Sequence, residues 1–293
     1  MPNALKKPVL ILILPLFLFA PRAHGYIPLS KTIASRVARN NGKGVYAIEQ
    51  DVQFRTGSET SVLRERWIVE NGGMMRLWVS SAANGAPARY DAVYRDGKKT
   101  APDFSGGLKT TPTSLEFAER YSHERSGNEF LRALVRAGIV PQSFLKERPR
   151  FTIAREDQAK KLETEGEPLV RLGRAGGVVN YVFGEPTPTE ANKNLPGAWV
   201  EQDAFVLRRL RFPSQAEQTF DQYSLQAGTI RLPSQRVITW NDHTAVIRLI
   251  SVKSVDAKTA ASVLSPSSIT IPEAKAAKLP DQAQVKEFYS RFR

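Results

Sequence analysis

From Val45 onward the chain is written in short segments whose apolar residues fall at every second position, each closed by a Gly, Asn, Asp or Pro turn. That spacing suits a pleated strand with one buried face and does not suit a helix. Val45 to Arg55 places Tyr46, Ile48, Val52 and Phe54 on one side, and Thr60 to Glu70 does the same with Leu63, Trp67 and Val69. Thr56-Gly57-Ser58-Glu59 between them is hairpin chemistry. Turns at Asn71-Gly72-Gly73 and Asn84-Gly85 feed Met74 to Ser81 and Ala88 to Arg95, which closes at Asp96-Gly97. Four successive strands with tight turns predict an antiparallel meander. Seven more strands are expected later, at Leu169–Leu172, Val178–Phe183, Ala198–Glu201, Phe205–Phe212, Thr219–Leu225, Thr229–Val237 and Ala245–Val255.

Helical spacing interrupts this pattern in three places. Ser30 to Asn40 puts Ile33, Ala34, Val37 and Ala38 on one face, with Ser30 as cap and Asn41-Gly42 as stop. In the middle of the chain, Thr113 with Glu116 and Ser126 with Glu129 are capping-box patterns that predict a helical pair. The second of these carries Phe130, Leu131, Leu134 and Val135 and stops at Gly138, with Pro141 beyond. Asp281 to Arg293 spaces Val285, Phe288, Tyr289 and Phe292 as an amphipathic helix docked on something apolar. The charged piece Gln158 to Glu163 reads equally as a helix turn or a loop. Glu185 to Gly197 has the composition of a surface loop, and Pro266 to Pro280 that of an irregular link.

The first twenty-five residues read as a secretory signal peptide: a basic start (Lys6, Lys7), an apolar run from Pro8 to Ala20, and Ala23-His24-Gly25 before Tyr26. The run is too short to span a bilayer comfortably. The chain has no cysteine, so neither disulfides nor lipidation of a cysteine after the leader is available. The expectation is export as a soluble protein to a bacterial periplasm, with 268 residues left to build a conventional core. The formal charge is +13, of which the leader contributes three units through Lys6, Lys7 and Arg22, leaving +10. Such a surplus favours anionic surfaces such as membranes or lipopolysaccharide. Nucleic acid is not an expected partner of an exported chain, and the basic pairs Lys98-Lys99, Lys160-Lys161 and Arg208-Arg209 are scattered.

Recognisable catalytic constellations are missing. His123 and His243 stand far apart, and His123-Glu124 lacks the second histidine of a zinc helix because Gly127 occupies its place. There is no G-x-S-x-G elbow, no P-loop, no G-x-G-x-x-G and no thiolate. No metal and no cofactor are expected. An acidic pair in space is always compatible with 29 acidic residues and is not read as a signal.

The remaining signal is apolar. Trp67, Met75, Leu77, Trp78, Tyr90 and Tyr94 lie on neighbouring strands, and Met75 and Leu77 oppose Met74 and Trp78 across one of them. A sheet greasy in places on both faces is covered twice, curls around an interior, or leaves a groove for a ligand. Ordinary core beneath the helices is the plainer of these readings.

The run Gly44 to Phe54, then Glu65-Arg66-Trp67-Ile68-Val69 and Met75-Arg76-Leu77, resembles the opening strands of periplasmic lipoprotein-carrier proteins of the LolA and LolB type. Those begin with a helix, a Q-x-V-x-F strand and a strand bearing a Trp. Trp199 to Phe212 and Leu232 to Arg236 look like their outer strands, so the resemblance covers about Ser30 to Val255 in order of elements. It implies an α+β fold: a curved antiparallel sheet of about 10–11 strands, an unclosed β-barrel, with helices covering the concave face. It further implies one lipid-carrier domain over 26–293, with an extension from about 266. Sheet contacts to acyl chains would come from Trp67, Met75, Leu77, Trp78, Tyr90 and Tyr94, and lid contacts from Phe117, Tyr121, Phe130 and Leu134. Glu70 stands where the best-known carriers have a basic residue that helps hold the lid.

The function expected is therefore non-enzymatic: a soluble periplasmic carrier of lipoprotein acyl chains or a related lipid. The alternative is an envelope-stress regulator of the same fold that senses lipid or lipopolysaccharide and binds a membrane protein. A hydrolase of cell-wall or polysaccharide material stands third.

Overall fold

The computed structural model describes residues 27–56, 59–82, 88–103, 105–145, 170–184 and 195–293. The expected leader, the Gly57-Ser58 apex, the Asn84-Gly85 turn, the piece at 158–163 and most of the 185–197 loop lie outside the described residues. Helix α1 (Ser30–Asn40) has the expected bounds and buries Ile33, Ala34, Val37 and Ala38, but its cap position is Leu29, with no side-chain cap.

Thirteen strands among the described residues form one antiparallel sheet. The first arm is β1 (Val45–Thr56), β2 (Glu59–Asn71), β3 (Met74–Ser81), β4 (Arg89–Arg95), β5 (Lys98–Pro102) and β6 (Leu108–Pro112). The second is β7 (Arg171–Ala175), β8 (Val178–Gly184), β9 (Gly197–Glu201), β10 (Leu207–Arg211), β11 (Glu217–Gln226), β12 (Ile230–Trp240) and β13 (His243–Val255). Each arm is a meander of sequence neighbours, and the arms meet where β1 pairs with β13 from Val45↔Val255 to Phe54↔Ala245. Strands β6 and β7 are the two free edges, so the barrel is unclosed. The two strands beyond the eleven expected are β5 and β6. Lys98-Lys99-Thr100 and Lys109-Thr110-Thr111 lack apolar alternation, because β6 lies at an edge and its side chains are largely exposed.

The helical pair is present, but its first member starts late. Thr113 continues the sheet, its N–H donating to the Gly97 carbonyl at 2.8 Å. Ser114 Oγ, in place of Thr113, accepts from the Glu116 amide (3.1 Å), and the Glu116 carboxylate is drawn to Arg291. The helix therefore begins only at α2 (Glu119–His123). Helix α3 (Gly127–Arg136) does use Ser126, whose side chain accepts from the Glu129 amide at 3.4 Å.

The stretch read as irregular holds structure as well. Just before it, helix α4 (Ala257–Val263) is capped by Asp256, and within it α5 (Ile271–Lys275) is capped by a complete capping box of Thr270 and Glu273. Helix α6 (Ala283–Arg291) follows, close to its expected bounds.

Period-two alternation divides the sheet into two unlike faces. The inner face carries one large core that includes Phe54, Leu63, Trp67, Leu77, Tyr94 and Trp240. The outer face has a small satellite where Val45 and Ile68 pack with Ala260 of α4 and with Leu264. Both faces of β3 are thus covered, which accounts for its double run of apolar residues.

Candidate functional site

Three of the polar residues at inward positions of the apolar face belong to one cluster. Gln50 sits between Ile48 and Val52 on β1, Glu65 between Leu63 and Trp67 on β2, and Arg236 two residues before Ile238 on β12. A charge there must find a partner, because burial in apolar surroundings is costly to an unpaired ion. Gln50 Nε2 donates to Glu65 Oε2 at 2.6 Å, as does Trp67 Nε1 at 3.0 Å. Glu119, at the start of α2, pairs with Arg236 Nη1 at 2.7 Å and lies 3.3 Å from His123 Nε2. Arg293 closes the cluster, 2.8 Å from Glu65 and 3.2 Å from Glu119. Two carboxylates and two guanidiniums balance. Burial works to raise the Glu119 pKa, but Arg236 and Arg293 overcome it and hold the carboxyl well below its usual range. Burial likewise opposes the Arg293 charge, while Glu65 and Glu119 raise its pKa above the ordinary value.

The centre of the trough is filled by α6 and the residues just after it. Phe288 meets Phe54 edge-on at 5.0 Å between ring centroids, and Phe292 meets Trp240 at 5.2 Å. Tyr289 approaches Tyr90 at 5.8 Å. Val285, Phe288 and Phe292 are fully buried, each contributing about 1.5–3 kcal/mol by leaving water. Of the segment read as an extension, Leu279 and α6 with Phe292 are therefore part of the main core.

Nine of the ten residues proposed from the sequence as lipid contacts are brought together in that core, all of them buried: Trp67, Met75, Leu77, Tyr90, Tyr94, Phe117, Tyr121, Phe130 and Leu134. Phe117 stacks on Tyr94 with centroids 4.3 Å apart and also contacts Trp67, while Tyr121 packs on Phe130 and Phe212. The tenth, Trp78, is on the outer face, where it packs with the α4 satellite and lies beneath the guanidinium of Arg76 at 4.4 Å. Its odd register relative to Met75 and Leu77 puts it there.

Open space survives beside α6. A groove of about 890 Å³ runs between β5 and β6 on one side and α6 with Lys278-Leu279 on the other. Tyr90, Ala101, Pro102, Leu279 and Tyr289 give it an apolar lining, and of the ten proposed residues only Tyr90 reaches it. Lys99 also lines it. This lysine is buried on the inner side of β5, opposite Tyr94, and its Nζ donates to the backbone oxygens of Tyr289 and Arg293, each at 2.6 Å. The rings of Tyr90 and Tyr94 lie 5.6 and 5.8 Å from the ammonium. Burial, with a smaller push from the nearby Arg293 charge, lowers its pKa to about 7. Sequence reasoning missed Lys99 together with β5. Gln50 and Glu65 had a legible signal, since each is a polar residue at an inward position of an alternating strand.

Neither a protein-family profile nor a curated protein matches the sequence. Among solved structures, the chain is similar to a DUF1329 family protein from Desulfovibrio piger at 12% identity, with a TM-score of 0.51, over 84% of this chain and 100% of that one. It is also similar to a LolA superfamily protein from Nitrosomonas europaea at 10% identity, with a TM-score of 0.49, over 83% of this chain and 100% of that one. The chain shares its fold with the DUF1329 protein. At these identities the likeness extends to architecture: a single curved antiparallel sheet, open along one side, with helices against its inner face. No helix among the described residues is long and apolar enough to cross a membrane.

Proposed function

We propose that the protein is a non-enzymatic, exported acyl-chain binder of the bacterial envelope, and that the groove beside α6 is where the chain lies. The observation that carries this reading is the groove itself, whose 890 Å³ falls within the roughly 300–1,000 Å³ range of small-ligand sites. Its walls are mostly apolar, and about six methylenes buried there would give ~5 kcal/mol with no polar chemistry. The LolA-like architecture and the leader-like start of the chain support the same reading. In the carrier version the cargo is a lipoprotein acyl chain or a related lipid on its way to the outer membrane. The test is to purify the protein from its native envelope and analyse its organic extract by mass spectrometry. Stoichiometric lipid or co-purifying lipoprotein is expected, and an extract without either overturns the proposal.

One observation favours the regulator version. The middle of the trough is occupied by Phe288, Tyr289 and Phe292, so the interior hides less cargo than an empty trough would. A groove of this size suits a protein that senses one lipid and passes the signal to a membrane-protein partner. A stable partner in envelope pull-downs, without lipoprotein transfer between membranes, would select this version.

A further inference from the structure

The outward face of α1 carries positive charge along its whole length. Lys31, Thr32, Ser35, Arg36 and Arg39 share one side of the helix, opposite the buried Ile33, Ala34, Val37 and Ala38, and the helix contains no acidic residue. Helix α3 packs so close that a methyl group on Gly127 would lie 2.7 Å from Ser35 Oγ. It adds the exposed Arg132 and Arg136, and Lys43 stands exposed just past the end of α1. Two acids share this layer: Glu129, which pairs with Arg132, and Asp203, exposed in the turn between β9 and β10. Over α1, α3 and the turns 41–44 and 202–205, six basic residues therefore meet two acidic ones.

Solubility alone does not ask for this arrangement. The outer face of the sheet matches its cations with carboxylates: Arg64 with Glu49 and Asp51, Arg208 with Glu201, and Arg209 and Arg211 with Glu217. Cations gathered on one face repel one another, a cost that mixed signs avoid. The layer is also held in shape. Asn40 Nδ2 donates to the carbonyls of Ala204 and Phe205 at 2.8 and 2.9 Å, and Asn41 Nδ2 to that of Glu124 at 2.6 Å. The guanidinium of Arg36 lies 4.7 Å from the centre of the Phe205 ring. At the head of α1, Leu29 leaves 43% of its surface in water.

We infer that α1, with α3 beside it, is the surface by which the protein docks on an anionic phospholipid leaflet. The helix lies along the membrane plane, its guanidiniums among the phosphates and Leu29 entering the headgroup boundary. The planar fork of an arginine suits phosphate oxygens, and arginines make up four of the six cations. This inference goes beyond the acyl-chain reading and does not rest on it, since the groove beside α6 shares no residue with the layer.

The experiment is co-sedimentation of the protein, purified from its envelope, with two kinds of vesicle at low salt. One is phosphatidylcholine alone, and the other carries about one phosphatidylglycerol in three lipids. Partitioning about tenfold stronger onto the anionic vesicles is expected, and it should fade as salt is added. Arg39→Gln with Arg136→Gln should weaken it about tenfold. Lys253→Gln with Lys258→Gln removes as much charge from exposed positions on β13 and α4, and should leave it within about twofold. Equal losses in the two double variants overturn the assignment to α1 and α3. Equal partitioning of the native protein onto both kinds of vesicle overturns membrane docking altogether. Capture by soluble dextran sulfate, with no partitioning onto anionic vesicles, overturns the choice of a lipid surface. The groove is judged separately, by the lipid found in the organic extract.

Discussion

The guanidinium of Arg293 lies 2.8 Å from the carboxylate of Glu65, and neither side chain is exposed to solvent. The two positions are separated by most of the sheet in sequence, so this pair ties the end of α6 to the centre of β2. Removing one partner leaves the other as a buried, uncompensated charge. Glu65→Gln or Arg293→Met should each cost about 3–5 kcal/mol. The double variant should cost less than the sum of the two, since neither charge is then stranded. Urea unfolding followed by tryptophan fluorescence measures all three, and strict additivity would show that the pair is not coupled.

Lys99 makes stability depend on pH in an unusual direction. Its folded-state pKa, about 7, lies below the ordinary lysine value of 10.5, so between these limits the unfolded chain binds the proton more tightly. Stability from this group therefore rises with pH from 7 towards 10. The groups facing it do not mask the effect. Burial raises the pKa of Tyr90, Tyr94 and Tyr289, and Arg293 stays charged. Urea midpoints of the native chain should gain on those of Lys99→Met across this range; parallel curves would contradict the assignment.

The stack of Phe117 on Tyr94 tests whether the residues before α2 are core or a loose lid. Centroids 4.3 Å apart in nearly parallel planes, with Phe117 and Tyr94 both buried, describe fixed packing. Phe117→Ala should cost about 3–5 kcal/mol in unfolding experiments. A loss below 1 kcal/mol would mean that this segment leaves the sheet readily.

Trp78 provides the complementary test, being on the opposite face from the groove. Trp78→Ala should lower stability by loosening the α4 satellite, yet leave the amount of co-purifying lipid within twofold of the native value. A larger loss of lipid from the organic extract would contradict the placement of the ligand beside α6.

Much of this architecture was legible in the residues, and the failures have physical causes. Strands β1 to β4 each bury one face, so alternation in Tyr46, Ile48, Val52 and Phe54 and in Leu63, Trp67 and Val69 reports them directly. Helix α6 announced itself through Val285, Phe288 and Phe292 for the same reason. Strand β6 keeps its side chains largely exposed, and β5 buries Lys99 and Thr100 where an alternating strand would show apolar residues, so neither left such a trace. The capping boxes show the limit of local signals. Thr270 with Glu273 forms one, whereas Thr113 with Glu116 does not, because Arg291 from α6 takes the carboxylate. The ten residues proposed as ligand contacts were found as a group, nine of them meet in one core, and Tyr90 among those nine also lines the groove. Which apolar residues stay uncovered depends on what packs over them, and α6 comes from nearly two hundred residues away in sequence, roughly the span from Tyr94 to Phe288.

The meeting of β1 with β13 at the middle of the sheet bears on how the molecule is born. A chain synthesised from its N-terminus can hydrogen-bond its first six strands to one another early, but the long β1 flank must then wait, unsatisfied, until the thirteenth strand exists. Throughout that interval the nascent protein presents a raw, twelve-residue template for sticking to its neighbours. Escorted or rapid delivery of the second arm thus becomes a requirement of the topology.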